Sequence, residues 1–329
     1  MAGPFVPVPR VSLSRSIEDY PEGIIVPVDK PWRWTSADVV RKVKFAAIKH
    51  FSKKNLKVGH AGTLDPLATG VLLVCIGKAT KLAEELQKHD KEYVATIVFG
   101  ATTPSYDREK TPDRFFPVDG IDADAVRKAL EGLTGTYEQV APLFSAKSTD
   151  GVRAYEIARK LFKKSSSVIS TEAEKSSSAG DALGLQLRHD NDGGSVIDEA
   201  ALSLLTRNKV TVSEASLLRF GSLAGIPVST VIPSPSGASV SPSAGDALGL
   251  QSRHDSAASS RINVADVSAL NLPAAVVRIR CSKGTYIRAF ARDLGEALGS
   301  GAFLADLRRT VTGAFSSPLP MDDVLKLWQ

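Results

Sequence analysis

The chain is organised around residues 57–81, KVGHAGTLDPLATGVLLVCIGKATK. This stretch opens with a polar loop whose glycines permit positive φ and the close approach of another molecule to the backbone. It continues into an apolar run, residues 70–76, which is too short to cross a membrane and predicts a buried strand. Pro66 disfavours helical backbone at Asp65 and fixes the chain just after it. The pattern therefore places a carboxylate in a rigid turn ahead of a buried strand, a position suited to chemistry.

The string GHAGTLDPLATGVL around Asp65 resembles the nucleophile motif of the TruB family of pseudouridine synthases, which isomerise uridine in the TΨC loop of tRNA. An isolated Asp-Pro pair more often marks a turn in which the carboxylate accepts a hydrogen bond from a nearby backbone N–H. The match is almost continuous along the stretch, which favours the family over that simpler reading. By this resemblance Asp65 is the catalytic aspartate and His60 contacts the RNA loop.

A second stretch, KEYVATIVFGATTPSYD at residues 91–107, resembles another motif of the family. Its alternation and its β-forming residues predict a strand at 93–100. A lone tyrosine in a strand is more often a packing aromatic. The resemblance implies instead that Tyr93 lines the active site. Ser105 stands where the family normally has threonine.

The third match, CSKGTYIR and the later LRRT, follows a predicted buried strand at 274–281. The family places an arginine beside the catalytic aspartate, and its match here is Arg288; a surface arginine that contacts phosphate is the alternative. A bidentate pair with such an arginine would keep the carboxylate ionised. The target base must be flipped out of its loop. A flipped pyrimidine needs a flat, mostly apolar pocket, and we expect Tyr93 and Tyr286 to supply rings to it and Leu307 to close it.

The string KPWRWTS, residues 30–36, departs from the family pattern KPxGxTS at one position. Arg33 stands where the family has glycine, which leaves the local path of the backbone undetermined. We expect Lys30, in the same string, to be among the residues that bind RNA. Ala141 and Phe144 are further departures, in a stretch where the family shows a sequence like PPYSAK.

Periodicity and capping signals predict the remaining regular structure. Helices are expected at 37–51, where Thr35 or Ser36 can cap, and at 122–133, 151–159 and 289–298. Further strands are expected at 23–29 and 208–219.

The bulk properties favour a nucleic-acid partner and a cytosolic location. The net charge is +5, but residues 166–205 carry −5 and residues 221–262 carry 0, so the rest of the chain carries +10. A basic core suits a polyphosphate, and lysines of helix 37–51 are candidates for phosphate contacts. There is no apolar leader and no apolar run long enough for a membrane span. Cys75 and Cys281 are expected to be reduced, and two thiols do not make a metal site.

The domain expectation is a flexible N-terminus at 1–20 and a single catalytic domain at 21–329. Insertions at about 166–205 and 221–262 interrupt it and carry two copies of one segment, SAGDALGLQLRHD at 178–190 and SAGDALGLQSRHD at 243–255. Their polar composition predicts disorder. The alternative is a short partner-binding helix in each copy, through Leu183 and Leu185 or Leu248 and Leu250. Too little chain follows Phe315 for the C-terminal RNA-binding domain that many relatives carry.

Together the residues and the resemblance imply an α/β (α+β) pseudouridine synthase fold, with a central mixed, mostly antiparallel sheet flanked by helices. The expected function is a cytoplasmic tRNA pseudouridine synthase acting on uridine 55 of the TΨC arm. We expect a monomer with no cofactor, no metal, no membrane association and no obligatory protein partner. Two alternatives stay open. One is a non-catalytic tRNA chaperone, and the other is a relative that works in a guide-RNA complex. The sequence does not choose between a nucleophilic and a glycal route for Asp65.

Overall fold

The computed structural model describes residues 3–8, 11–142, 207–226 and 262–329, together with four two-residue strands between 148 and 196. Within the helix expected at 151–159, Val152–Arg153 form a two-residue strand instead, and residues 154–159 lie outside the described residues, as does Phe144. Both repeat copies also lie outside them, apart from Arg188–His189 in the first copy.

The strands and helices follow each other in chain order. The strands are β1 Ile24–Lys30, β2 Val58–Ala61, β3 Ala68–Ile76, β4 Lys91–Phe99, β5 Ala101–Thr102, β6 Arg114–Phe115, β7 Gly135–Val140, β8 Ser148–Thr149, β9 Val152–Arg153, β10 Arg188–His189, β11 Ser195–Val196, β12 Arg207–Ser222, β13 Pro273–Cys281 and β14 Ala302–Thr312. The helices are α1 Ser36–Phe51, α2 Ala83–Lys88, α3 Ala123–Gly132, α4 Ile287–Ala297 and α5 Met321–Lys326. Short 3₁₀ turns lie at Ile17–Asp19, Gly77–Leu82 and Leu223–Gly225.

One large sheet of eight strands forms the centre of the molecule, in the order β1-β3-β14-β4-β13-β12-β7 with β2 also paired to β3. Its pairs are antiparallel except β14 with β3, which run parallel. The expected mixed, mostly antiparallel sheet flanked by helices is confirmed. Strand β14 comes late in the chain but lies in the middle of the sheet, between β3 and β4.

Local chemistry explains the first helix and the central strands. Helix α1 begins with a capping box, in which the Thr35 side chain accepts from the backbone of Asp38 and the Asp38 side chain accepts from the backbone of Thr35. Its apolar stripe, Val39, Val43 and Ala47, is fully buried against the sheet. Strands β3 and β4 are buried along almost their whole length, which explains their nearly continuous apolar sequences.

The predicted elements within the described residues are confirmed with small shifts of their ends. Strand β12 runs to Ser222, into the segment that the sequence assigned to the second insertion. Strands β2, β7 and β14 were not predicted, because none of them has a sustained apolar alternation.

The N-terminal segment differs from the flexible tail expected at residues 1–20. Phe5 lies beside β1: its N–H donates to the Gly23 carbonyl at 3.2 Å and its carbonyl accepts from the Ile25 N–H at 2.9 Å. Leu13 and Ile17 are buried in the main core. Isolated apolar residues without a period therefore fix much of this segment on the domain.

Within the ranges described above, no helix combines the length and apolarity that a bilayer crossing requires.

Candidate active site

Asp65 lies in the short loop between β2 and β3, and the loop is held by its neighbours. The Ser36 hydroxyl, at the start of α1, accepts from the Leu64 N–H at 2.9 Å and donates to the Leu64 carbonyl at 3.2 Å. The Ala68 N–H donates to the Asp65 carbonyl at 3.0 Å. The loop therefore has a defined backbone path on both sides of the carboxylate.

Two buried basic side chains fix the two ends of this loop. Lys30, fully buried at the end of β1, donates from Nζ to the carbonyls of Pro66 at 3.1 Å and Trp34 at 2.6 Å. Arg309 of β14, also fully buried, donates from Nη2 to the Gly62 carbonyl at 3.1 Å and from Nε to the Val71 carbonyl at 2.7 Å. Burial lowers the pKa of Lys30 to about 7, although the charge of Asp65 opposes that change.

The carboxylate of Asp65 meets Arg288 in a bidentate pair. Arg288 lies in the first turn of α4, and its Nε and Nη2 donate to the two carboxylate oxygens at 3.0 and 3.1 Å. Its Nη1 donates to the Ser105 carbonyl at 3.3 Å. The Arg288 side chain is 6% exposed and that of Asp65 is 38% exposed. A fixed, buried guanidinium therefore presents a carboxylate whose outer part faces solvent.

A second carboxylate, Asp107, also lies near Arg288, with Oδ2 at 3.7 Å from the arginine Nε. Its Oδ1 accepts from the Ser105 hydroxyl at 2.6 Å and from the Glu109 N–H at 2.9 Å. Burial raises the pKa of Asp107, against the effect of Arg288. Burial disfavours the charged guanidinium, but the two facing carboxylates outweigh it and raise the pKa of Arg288.

The sequence analysis quoted Asp107 inside the second motif but gave it no role. The sequence does carry a signal for Asp107: the motif at 91–107 begins with a buried strand and ends in this carboxylate, two residues after Ser105. The turn that carries it is strained, because Tyr106 has a φ of 55°.

A crevice beside the carboxylate is lined by Asp65, Leu67, Ala68, Asp107, Arg288 and residues 304–307. Its volume is about 10 Å³, which is at the limit for one water molecule. A pyrimidine base can enter only if side chains around the crevice move. Leu307, expected to close the pocket, lies on the wall of this crevice.

The structure places the other predicted site residues in different surroundings. Tyr93 on β4 is buried in the main core, and burial raises the pKa of its hydroxyl. Tyr286 precedes α4, where its backbone bonds to the Gln139 side chain at 2.8 and 3.2 Å. His60 on β2 is half-buried, and burial together with the charge of Arg309 lowers its pKa. Among these three residues, none is in the lining of the crevice beside Asp65.

Lys30, which the sequence analysis expected to bind RNA, lies in the interior of the protein. Its side-chain nitrogen is fully buried, within hydrogen-bond distance of three backbone carbonyls that include that of Pro31 at 3.0 Å. Its contacts make it a support of the Asp65 loop.

Arg33 keeps the backbone that a glycine would adopt. Its φ is 65°, and its N–H donates to the Pro66 carbonyl at 2.9 Å, one residue from Asp65. Its guanidinium donates to the Ile262 carbonyl at 2.8 Å and lies 5.7 Å from the ring centroid of Trp32. The departure from the family pattern is therefore accommodated with a left-handed arginine.

Comparison with known families places this fold and site in one class. Residues 49–211 match the family model described as TruB family pseudouridylate synthase, N terminal domain. The class is that of the pseudouridylate synthases.

Curated relatives give the family directly. The chain is 36% identical to tRNA pseudouridine synthase B of Phocaeicola vulgatus, covering 90% of this chain and 88% of that one. It is 35% identical to tRNA pseudouridine synthase B of Parabacteroides distasonis, covering 94% and 95%. This chain belongs to the TruB family, which confirms the resemblance seen in the motifs.

A solved structure supports the fold alone. A chain in the crystal structure of a Cbf5-Nop10-Gar1 complex is similar with a TM-score of 0.50 at 18% identity. The likeness covers 94% of this chain and 56% of that chain.

Proposed function

We propose that this chain is a tRNA pseudouridine synthase that converts uridine 55 of the TΨC arm to pseudouridine. The observation that carries the proposal is the bidentate pair between Asp65 and the buried Arg288. A paired carboxylate with an open outer part suits a reaction that must break a glycosidic bond. The curated relatives named above are tRNA pseudouridine synthases, which supports tRNA as the substrate.

The reaction is an isomerisation. The N1–C1′ bond breaks, the uracil turns, and C5 bonds to C1′; the proton from C5 is lost and N1 carries a proton in the product. Substrate and product have the same atoms, so the reaction as written consumes no cofactor or energy source. Asp65 can take part in two ways, by attack on C1′ or by removal of a proton from C2′. Both require an ionised carboxylate, which the two donors of Arg288 favour.

The target uridine lies within a folded loop and has to leave its stack to reach Asp65. We assign His60 to the space that the base leaves, and Tyr93 and Tyr286 to the pocket wall. Leu307 closes the pocket over the base. The small volume beside Asp65 supports an opening step, in which the side chains of the crevice make room for the pyrimidine.

The remaining parts of the proposal concern the whole protein. We propose one catalytic domain with two insertions, acting in the cytoplasm as a monomer without an obligatory protein partner. The guide-RNA alternative draws on the Cbf5 likeness, but that likeness is at 18% identity and supports the fold only. A non-catalytic chaperone would need neither Asp65 nor Arg288.

The test compares the wild type with Asp65→Asn on tRNA that carries 5-tritiated uridine. The variant keeps the shape of the side chain and removes its charge, so tritium release should fall by several orders of magnitude while tRNA binding persists. Asp124→Asn is the matched control, because the Asp124 side chain is 91% exposed on α3. Wild-type release from the Asp65 variant would contradict the proposed role. No release from the wild type would favour the chaperone.

A further inference from the structure

A cleft separate from the crevice at Asp65 opens between α1, the turn that follows it, β2 and the 3₁₀ turn at Gly77–Leu82. Its volume is about 510 Å³, and its lining includes Lys44, Lys54, Lys57, Gly59 and Thr80; no aspartate or glutamate of the described residues lines it. We call it the lysine cleft. Its size is within the range of ligand sites in proteins.

Among the described residues, the three lysines have no partner of opposite charge. All three are exposed, and in the part of the chain that the structure describes none of them makes a salt bridge. The neighbouring Lys53 behaves differently, because its ammonium lies 2.7 Å from a carboxylate oxygen of Glu18. Positive charges gathered around one concave surface attract an anion from outside the chain.

Gly59 provides a second observation. Its backbone is outside the left-handed region, so the local conformation does not require glycine. A Cβ placed there would meet no atom within 4 Å, so packing does not require glycine either. The open space beside β2 lets another molecule approach the backbone closely.

A purely structural role explains only part of the arrangement. Cations near the C-terminus of a helix interact favourably with its dipole, and α1 ends at Phe51. That effect is confined to the last turn and can account for Lys54. It does not account for Lys44, which lies two turns earlier, or for Lys57 at the entrance to β2.

We infer that the lysine cleft binds the phosphate backbone of the substrate RNA. This inference rests on the proposed function. Strand β2 leads from the cleft to the catalytic loop, and Gly59 lies only about 7 Å from Ala61 at a normal strand rise. RNA bound with its target base at Asp65 can therefore run its backbone past β2 into the cleft. Contacts of this kind position the substrate without reading its sequence.

The test is the triple variant Lys44→Ala/Lys54→Ala/Lys57→Ala, assayed for binding of unmodified tRNA at several salt concentrations. Each lost phosphate contact should reduce the log–log salt slope by about 0.7–0.9, so the slope should fall by about 2–3. We expect Kd to rise about tenfold or more, and KM to rise more than kcat falls. The triple arginine variant should keep the wild-type Kd within about threefold, since it retains the charges.

The matched control is Lys88→Ala/Lys128→Ala/Lys326→Ala, which removes three exposed lysines from other helices. It should leave Kd within about threefold of the wild type. If the alanine triple variant keeps the wild-type Kd and salt slope, the cleft does not bind RNA; the proposed function still stands if the wild type forms pseudouridine. If the wild type forms no pseudouridine but the alanine variant loses RNA affinity, the proposed function is wrong and RNA binding by the cleft still stands. An arginine variant as weak as the alanine variant would also overturn the cleft.

Discussion

Two residues beside the Asp65–Arg288 pair hold left-handed backbone without being glycine, Arg33 with a φ of 65° and Tyr106 with a φ of 55°. For an L-residue this conformation costs about 1 kcal/mol. Strain of this kind persists where surrounding contacts impose it. At Arg33 this contact is the hydrogen bond from its N–H to the Pro66 carbonyl, and it joins Arg33 to the Asp65 loop.

This strain predicts an unusual order of stability at position 33. Arg33→Gly loses the bond to the Ile262 carbonyl but relieves the backbone, so its free energy of unfolding should stay within about 1 kcal/mol of the wild type. Arg33→Ala loses the same bond and keeps the strain, so it should be about 1 kcal/mol less stable than the glycine variant. Chemical denaturation measures both. Equal stability of the two variants would mean that the backbone here is not left-handed.

For Arg288 we predict that the geometry of its guanidinium matters, and not only its positive charge. Arg288→Lys keeps a cation but cannot donate to both oxygens of Asp65 and to the Ser105 carbonyl in one plane. We expect kcat to fall by about 100-fold or more, with Kd for tRNA changed less than about threefold. Arg127→Lys, at an exposed arginine on α3, is the matched control and should retain full kcat. A lysine variant with most of the wild-type kcat would show that the fork is not needed.

At the scale of elements, the parallel contact between β3 and β14 brings the Asp65 loop to Arg309. Gly70 pairs with Arg309 with a φ of 98°, and a Cβ there would overlap the main chain of Arg309. Gly70→Ala should therefore destabilise the protein by about 3 kcal/mol or more and reduce activity. Gly132→Ala is the matched control, because a Cβ at that end of α3 meets nothing within 4 Å. Thermal melting measures both, and a normal Tm for Gly70→Ala would contradict the close approach.

The contact between β1 and the Asp65 loop should depend on pH through Lys30. Its pKa in the folded protein is about 7 against 10.5 for an unperturbed lysine, so between these values the unfolded chain binds more protons. The free energy of unfolding should then rise with pH in this window, by at most about 1.4 kcal/mol per unit. Lys30→Met removes this contribution. Comparing wild type and variant at pH 7.5, 8.5 and 9.5 cancels the titration of other groups such as Lys91. A difference in stability that stays constant over this range would contradict a neutral Lys30.

Periodic elements could be predicted from the sequence, whereas the buried charged residues around the site could not. Strand β3 and helix α1 carry their own apolar patterns, so local reasoning found them. Strand β14 was missed because its sequence, AFLADLRRTVT, mixes charged residues into a buried strand. Arg309 is buried there since three backbone carbonyls of distant residues accept its hydrogen bonds. Those acceptors exist only once the fold has formed, so no local pattern could reveal them.

The same reason applies within the site. Asp65 and Arg288 came from motifs that resemble one family, and the structure brings them into contact. The positions of Asp107 and Lys30 depend on which surfaces become buried, which a single sequence does not give.

For the whole molecule, we predict that the two insertions can be shortened together. Residues 166–205 and 227–261 would be replaced by short Gly/Ser linkers, keeping the end of β12 and Ile262, which the structure assigns to the domain. Their sequences are poor in aromatics, and changing loop length costs only about 0.6 kcal/mol per doubling. Tm should stay within a few degrees and pseudouridine formation on tRNA within a few-fold. A variant that melts normally but has lost activity would show that the insertions hold substrate.

The late position of β14 has a consequence for how the protein is made. Among the described strands, β4 pairs with β14 and β13 alone, so it has no sheet partner there until the ribosome has passed residue 273. Arg288 follows Asp65 by 223 residues, a delay of roughly 10–45 s at ordinary rates of translation. During that interval the nascent chain carries the carboxylate without its arginine, and an unpaired strand edge stays open to other chains. A chain that ends before Arg288 therefore cannot form the Asp65–Arg288 pair.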